Sequence, residues 1–497
     1  MKEKLQKPFF LNNFAAAKMT TTSNDNMNTR PGNRGNKFLK DIGVYAIGNI
    51  GSKLITFLMV PLYTYFVHDT GDFGYYDLCL TVCMLLLPFF TLQLRDGAFR
   101  FLLDCDDDTQ CKRIVTFVCR SMAMTLSLAL LVALAMMLTT DIRYLGYAVG
   151  LLIAMSLQEV FSQVLRGLGN NRAFVVVGIL SALGIGLFSI LFVAGMGWGI
   201  KGIFLANIIA RVLALVLVEG KVRLITRHIS LKLDSREVGR DILRYTLPLL
   251  PGSLCWWLAG SSDRLFITHF LGRDVNGVYA VAIRFTGIIN TLAIIFYQAW
   301  QETAILQYNS SDRDRFFSKM FNSYIFLLAI LLVGYVFMLK VNYSWLIADE
   351  YKESLNYIYP LGLSAVLFAL SAFFDMGYQC AKDTPRTLPA IMLAALVNVV
   401  LNFLLIKPLG VYGVIVTQLI TYIVLFTYRW HDMRRYFVLK VNPRAGIPVA
   451  VMLLSLIPFY YLDNIWLNIA YMVIALGCLI ASCGPELRAQ ILSKFNK

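Results

Sequence analysis

Residues 173–194 read AFVVVGILSALGIGLFSILFVA and residues 200–220 read IKGIFLANIIARVLALVLVEG, with only GMGWG between them. Each run is about the twenty residues that an α-helix needs to cross a hydrocarbon core. Their only charges are Lys201, Arg211 and Glu219. The apolar residues are continuous rather than alternating, which argues against a transmembrane β-barrel. The stretch describes two helices that cross a bilayer and turn back at a glycine-rich loop.

Outward from this hairpin, runs of the same kind fall at about 42–66, 78–94, 114–138, 142–165, 244–268, 277–301, 318–340, 355–379, 386–406, 410–429, 446–462 and 465–483. With the opening pair they make fourteen expected spans. Composition agrees. Of 497 residues 58% are hydrophobic and 15% charged, against about 45–50% and about 25% in soluble globular chains. A cytosolic enzyme and a disordered protein are both excluded. Residues 1–40 carry eight Lys/Arg and the polar tract TTTSNDNMNTRPGNRGN, with no apolar signal-peptide core. They read as a disordered cytoplasmic tail, within which Met19 and Met27 are alternative starts.

The formal charge is +15. In a soluble chain that would suggest nucleic acid, but here the cations follow the loops. With the tail inside, and Lys/Arg at span ends counted with the adjoining loops, 34 of the 45 Lys/Arg fall on cytoplasmic segments and 6 on outer loops; five (Lys53, Arg120, Arg211, Arg264 and Arg284) lie deeper within spans. This alternation places both termini in the cytoplasm. The stretch 221–243 (KVRLITRHISLKLDSREVGRDIL) reads as a basic linker resting against anionic lipid. The nine cysteines show no paired spacing and read as small buried hydrophobes.

Internal similarity divides the spans. Gly74-Tyr75-Tyr76 recurs as Gly277-Val278-Tyr279, and Gly199-Ile200-Lys201-Gly202 as Gly410-Val411-Tyr412-Gly413. Glu159, Ser162, Gln163 and Arg166 recur as Asp375, Tyr378, Gln379 and Lys382, an acid, a polar group, a glutamine and a base at i, i+3, i+4 and i+7. The expected architecture is all-α, with two six-helix lobes related by a parallel pseudo-two-fold repeat, a transporter design. The organisation is a tail at 1–40, an N-lobe at 41–220, the linker at 221–243, a C-lobe at 244–430 and two added helices within 446–485.

No Walker loop, H-E-x-x-H or G-x-S-x-G occurs, and four scattered histidines do not make a metal site. Asp106-Asp107-Asp108 reads as a solvated turn. The informative residues are charges within spans, because a charge at mid-bilayer costs about 2.5–3.5 kcal/mol on insertion scales and faces a cavity or a partner. Lys53, Arg211, Arg264 and Arg284 are expected to line a central wet cavity and meet an anionic cargo. Glu159, Asp263, Glu302 and Asp375 are expected to pair with these cations or to carry a coupled proton or sodium ion. Arg95, Arg100, Arg120, Arg166 and Lys382 lie nearer span ends, where interhelical bonding or snorkelling accounts for them.

The stretches Tyr45-Ala46-Ile47-Gly48-Asn49-Ile50-Gly51-Ser52-Lys53, Pro61-Leu62-Tyr63-Thr64 and Gly71-Asp72-Phe73-Gly74-Tyr75-Tyr76-Asp77 resemble the opening of bacterial polysaccharide-biosynthesis transporters. So do Asp96-Gly97-Ala98-Phe99-Arg100, Gly277-Val278-Tyr279-Ala280-Val281-Ala282 and Gln298-Ala299-Trp300-Gln301. These transporters are the Wzx-type O-antigen and capsule flippases of the MOP (MATE-like) superfamily, and the resemblance runs over roughly residues 38–430. It implies a V-shaped, MATE-like bundle in the bacterial inner membrane, without enzyme activity or a resident cofactor. The implied cargo is an undecaprenyl-diphosphate-linked oligosaccharide carried to the periplasmic leaflet by alternating access. Membrane lipid, a polysaccharide polymerase and a chain-length regulator are the implied partners; nucleic acid is not. The alternatives are a MATE-type drug/ion antiporter and a membrane polysaccharide polymerase.

Overall fold

Proline, glycine and capping side chains set where the helices begin and end. The structure, a computed structural model, describes residues 55, 57–105, 107–230, 233–381, 383–441 and, in part, 453–482. Secondary structure among them is entirely helical. The tail, Asp106, Lys53 and Lys382 lie outside the described residues, as does the side chain of Glu302.

The first described helix, α1, covers Phe57–Phe66. Asp69 caps α2 (Thr70–Phe90), accepting from the backbone N–H of Gly71 at 2.8 Å and of Asp72 at 3.2 Å. Leu92 and Gln93, at φ 50° and 52°, break the chain before α3 (Leu94–Leu103). Then come α4 (Asp108–Thr139), α5 (Leu145–Gly167) and α6 (Asn171–Ser189), whose end relaxes into a π-helical turn at Ile190–Gly195. The opening hairpin closes with α7 (Gly199–Val222), packed along α6.

The basic linker is itself partly helical: α8 (Leu224–His228) and α9 (Arg236–Thr246). Helix α9 packs on α3 and α4, with Ile242 and Thr246 buried and Gly239 set tightly against Phe117. Arg120 ties α4 to it, donating to Ser235 Oγ at 3.4 Å.

The single span expected at 244–268 is instead broken into a 3₁₀ turn at Leu247–Leu249, α10 (Leu250–Ser261) and α11 (Asp263–Phe270). Pro248 and Pro251 start the pieces because they lack the N–H that a continuous helix requires. Beyond lie α12 (Arg273–Gln307), α13 (Arg313–Leu346), α14 (Leu355–Phe373), α15 (Asp375–Cys380), α16 (Thr387–Leu409), α17 (Val411–Met433) and α18 (Ile465–Ser482). Ten of the described helical segments are long and apolar enough to cross a membrane. The sequence count of fourteen differs in four spans: most of the first and thirteenth falls on residues outside the description, the seventh is broken, and the fourteenth, α18, is not among the ten.

The chain gathers into two compact units, one ending at Ala280 and the other starting at Val281. The proline-broken α10 and α11 pack on α2, so they join the first unit; the sequence reading starts its second lobe at residue 244. The first unit has an aliphatic core around Leu94, Val115, Val118, Val160, Val164 and Val177. The second is aromatic: Trp300 stacks on Phe373 at 4.8 Å and meets Phe317 edge-on at 5.0 Å.

Two repeat motifs do matching work. Gly199 and Gly410 hold φ of 51° and 57°, at the turns that open α7 and α17. Three residues on, Gly202 and Gly413 press against the backbone of Phe192 and Leu405 in the preceding helical segment. The cysteine reading needs one correction. Cys105 and Cys111 form a disulfide, because the α3–α4 turn folds back and brings their Cα atoms to 5.9 Å.

Candidate charged sites in the spanning helices

Three charge groups of the first unit bear on its expected site residues. In the first, Asp77 on α2 faces Arg264 on α11. Arg264 Nε lies 2.8 Å from Asp77 Oδ2, and its Nη1 lies 3.9 Å from Asp263 Oδ1. Tyr279, at the start of α12, donates its phenol proton to Asp263. Asp77 and Asp263 are buried, and the Arg264 side chain is 14% exposed. The structure therefore brings two expected site residues together and matches Arg264 to carboxylates. Asp77 is missing from the sequence-derived set, although an acid immediately before the apolar run that begins at Leu78 was the available signal.

The second group joins α3 to α5. Arg95 pairs with Glu159 and, through Nε, with Asp96 at 3.3 Å. Glu159, expected as an acid for the deep cations, is thus engaged by an arginine read as a helix-end residue. Arg166, one helical face along, lays its guanidinium over the Phe99 ring at 4.5 Å.

The third group is different in kind. Arg211 on α7 donates from Nη1 to Gln158 Oε1 at 2.6 Å, and Gln158 Nε2 donates to Ser181 Oγ at 2.8 Å. Arg211 Nε is buried without an acceptor, and among the described residues no carboxylate lies within ion-pair distance of this guanidinium. Gln158 is set by its place on α5 and steadied by Ser181 on α6, so three helices fix the arginine through neutral groups.

The second unit carries one fully buried pair. Asp375, at the start of α15, meets Arg429 on α17 at 2.9 Å. Arg429 also donates from Nη1 to Ser371 O at 3.2 Å and Ser371 Oγ at 3.3 Å. Close by in sequence, Tyr378 donates to Asp432 at 2.9 Å, Gln301 to Gln379 Oε1 at 2.7 Å, and Gln379 to the Tyr297 oxygen at 3.0 Å. Arg284 is part-buried on α12. Among the described residues no group of three His, Cys, Asp or Glu is placed to hold a metal ion.

The chemistry of these groups is electrostatic. A buried guanidinium and carboxylate must repay their desolvation by pairing and hydrogen bonding. Arg95, Arg264 and Arg429 do so with carboxylates inside the protein. Arg211 does so with an amide.

The sequence profile described as polysaccharide biosynthesis protein matches residues 38–301, more than half of the chain. The chain belongs to that family. An uncharacterized membrane protein of Methanocaldococcus jannaschii is 23% identical over 300 residues, spanning 57% of this chain and 69% of that one. Among solved structures, the lipid II flippase MurJ in an inward closed conformation aligns at a TM-score of 0.67 with 14% identity, covering 91% of this chain and 100% of that chain. An inward-facing multidrug resistance MATE family transporter of the MOP superfamily aligns at 0.58 with 14% identity, covering 79% and 98%. These likenesses establish the fold: this polysaccharide biosynthesis family member is an all-α integral membrane protein of MATE and MurJ type.

Proposed function

We propose that the protein is a flippase that carries an undecaprenyl-diphosphate-linked oligosaccharide, the repeat unit of an O-antigen, capsule or exopolysaccharide, from the cytoplasmic to the periplasmic leaflet of the bacterial inner membrane by alternating access. It makes and breaks no covalent bond in this reading. The observation that carries it is Arg211, a buried guanidinium on a spanning helix held only through a neutral amide. An anionic cargo supplies what that arginine lacks, since arginine binds phosphate and carboxylate oxygens in paired hydrogen bonds. Family membership supports a role in polysaccharide assembly, and the similarity in fold to a lipid II flippase supports transport of a lipid-linked sugar.

In this account Lys53 and Arg284 are further cations for the cargo, and Arg264 is reserved for shaping the protein because Asp77 and Asp263 already hold it. Asp263, Asp375 and Glu302 are the candidates for coupling to a proton or sodium ion. The duplicated lobes are read at 41–220 and 244–430, with 446–485 added, although by packing the first compact unit runs on to Ala280, and both termini face the cytoplasm. A polymerase and a chain-length regulator act next on the delivered repeat unit. The test is reconstitution in liposomes with a fluorescent undecaprenyl-diphosphate oligosaccharide. Protein-dependent exposure of the sugar on the opposite leaflet is the expected result; no movement above empty liposomes would end this reading.

A MATE-type drug/ion antiporter is the second reading, favoured by the structural alignment to MATE transporters. Cationic drugs call for unmatched acids within the spans, and Glu159 and Asp375 are engaged by Arg95 and Arg429. Unchanged drug susceptibility on deletion, with loss of surface glycan, separates the two.

A further inference from the structure

We infer that Cys105 and Cys111, bonded across the α3–α4 turn, are a reversible thiol–disulfide switch whose oxidised form stiffens the seat of α9 and slows transport. The inference rests on the transport reading for that last step and for the side of the membrane on which the turn lies.

The place of the bond argues against a permanent one. The N-terminal part of α4 lies beside the basic linker, where Ser230 donates its backbone N–H to Thr116 Oγ1 at 3.0 Å. Arg100, Lys112 and Arg113 flank the turn in sequence, and Lys221, Arg223 and Arg227 lead into the linker. Cations at this density mark a cytoplasmic face. Thiols are kept reduced there, and a disulfide that does form is in most organisms transient, catalytic or redox-sensing. Among the described residues this is the one pair of cysteines that meets; the six others are free thiols. Both partners are part-exposed, and Asp104, Asp107, Asp108, Thr109 and Gln110 around them are exposed. A small thiol or disulfide in water therefore reaches the pair. Their Cα atoms, 5.9 Å apart, sit at the ordinary spacing for a disulfide, so the bond opens and closes without moving the backbone far. The partners are 6 residues apart in sequence. A ring that small withdraws less freedom from the unfolded chain than a long one, which suits a local device better than a staple for the whole fold.

What the bond holds is the seat of α9. From α3, Gly97 lies against Ile242 and Thr246. From α4, Phe117 lies against Gly239, and Arg120 reaches Ser235 Oγ at 3.4 Å. A covalent tie at the turn fixes the two sides of that seat to each other. Helix α9 runs straight into the 3₁₀ turn at Leu247–Leu249 and the proline-started α10, so it anchors the broken stretch. Alternating access repacks the cytoplasmic ends of helices, and conformational steps of this kind commonly set turnover. A locked seat slows such a step.

The chemistry needs a low-molecular-weight disulfide, R–S–S–R, as oxidant. One cysteine thiolate attacks it and releases one R–SH; the second thiolate displaces the other R–SH and closes the Cys105–Cys111 bond. The two thiol protons leave on the two R–SH, and the two electrons reduce the former R–S–S bond. An excess of R–SH runs the same exchange backwards.

Three measurements on the full-length chain test the switch. In cells, thiols are trapped with N-ethylmaleimide before lysis, the protein is reduced, and newly freed thiols are labelled with a heavy-isotope maleimide for mass spectrometry. Cys105 and Cys111 are expected as thiols in unstressed cells, as a disulfide after diamide, and as thiols again after washing. A bond already complete in unstressed cells, or one that never forms under diamide, would overturn the inference. In detergent, hydrogen exchange of Arg236–Thr246 should be several-fold slower after oxidised glutathione than after dithiothreitol. Cys105→Ser and Cys111→Ser should each exchange at the reduced rate under both reagents. Equal exchange in the two forms of the wild type would overturn the seat. In liposomes, the oxidised wild type should move lipid-linked sugar several-fold slower than the reduced one, with Cys111→Ser insensitive to either reagent. Equal transport by the two forms would overturn the regulatory step. Absence of transport in both forms, with trapping and exchange as expected, would retire the flippase reading and leave the thiol switch standing.

Discussion

Asp375 and Arg429 lie 2.9 Å apart on α15 and α17, and neither side chain reaches solvent. Such a pair is poorly described as a source of net stability, because desolvating both ions offsets most of their attraction. Its removal in halves is another matter. Arg429→Met leaves a buried carboxylate without its guanidinium, and Asp375→Leu leaves the guanidinium without its carboxylate. Each single change strands one buried charge without its opposite and is expected to cost about 3–5 kcal/mol, seen as a fall in thermal midpoint in detergent and in membrane yield. The double change Asp375→Leu with Arg429→Met should recover most of that loss. Additive losses in the double variant would show that the two residues are held by other groups.

Arg264 poses a related question with different arithmetic, since one guanidinium faces two carboxylates. Arg264→Gln takes away the cation that Asp77 and Asp263 share, and the expected cost is about 3–5 kcal/mol. Adding Asp77→Asn should return part of it by removing one of the two facing charges. The measurement is thermal unfolding of the purified variants. A second comparison separates structure from cargo. At equal folded protein, Arg264→Lys should transport close to wild type, whereas Arg211→Lys should not.

These charges also show how far the sequence could be read. Asp375 stood out because an acid inside an apolar run has few explanations. Arg429 did not, because it sits near Arg434 and Arg435 at the end of LFTYRWHDMRR and looks like one more cytoplasmic cation. It is buried because α17 runs on to Met433 and α14 stops at Phe373, which lets α15 present Asp375 to it. Periodicity carries no information about such breaks. The same blindness joined residues 244–268 into one span, although Pro248 and Pro251 were visible in it. Cys105 and Cys111, six residues apart, match no disulfide or metal spacing; only the fold of the α3–α4 turn brings them together. The helical class, the repeat motifs and the deep arginines were legible because each is a local property of composition or spacing.

Gly74 and Gly277, the two ends of one repeat match, meet in the first unit. A Cβ at Gly74 would lie 1.9 Å from Arg273 O, and one at Gly277 2.0 Å from Thr70 O. Asn276 Nδ2 donates to Gly74 O at 2.8 Å across the same crossing. Backbone cannot retreat as a side chain can, so Gly74→Ala or Gly277→Ala must separate α2 from α12. Overpacking of this kind costs about 1–3 kcal/mol or more. Gly287 on α12 is the control. A Cβ there meets nothing within 4 Å, so Gly287→Ala should be neutral or stabilise by up to about 1 kcal/mol. Thermal midpoints of the three single variants decide it; equal effects at all three positions would refute the close crossing.

The duplication itself can be tested through its other matching pair. Gly199 and Gly410 both hold the chain at positive φ where a helix opens, a conformation that costs an L-residue with a Cβ roughly 1–2 kcal/mol. A methyl added at either position would meet no neighbour within 4 Å, so packing adds nothing and backbone strain alone sets the effect. Gly199→Ala and Gly410→Ala should therefore both lower stability. Gly410 is the more sensitive, because its ψ of −136° lies outside the left-handed helical region that other residues can enter. Asparagine tolerates left-handed backbone better than alanine, so Gly199→Asn should lose less than Gly199→Ala, while Gly410→Asn should gain no such relief. Chemical or thermal denaturation of the four variants reads these differences directly. If Gly199→Ala were harmless while Gly410→Ala were severe, the two turns would share a spelling without sharing a structural role.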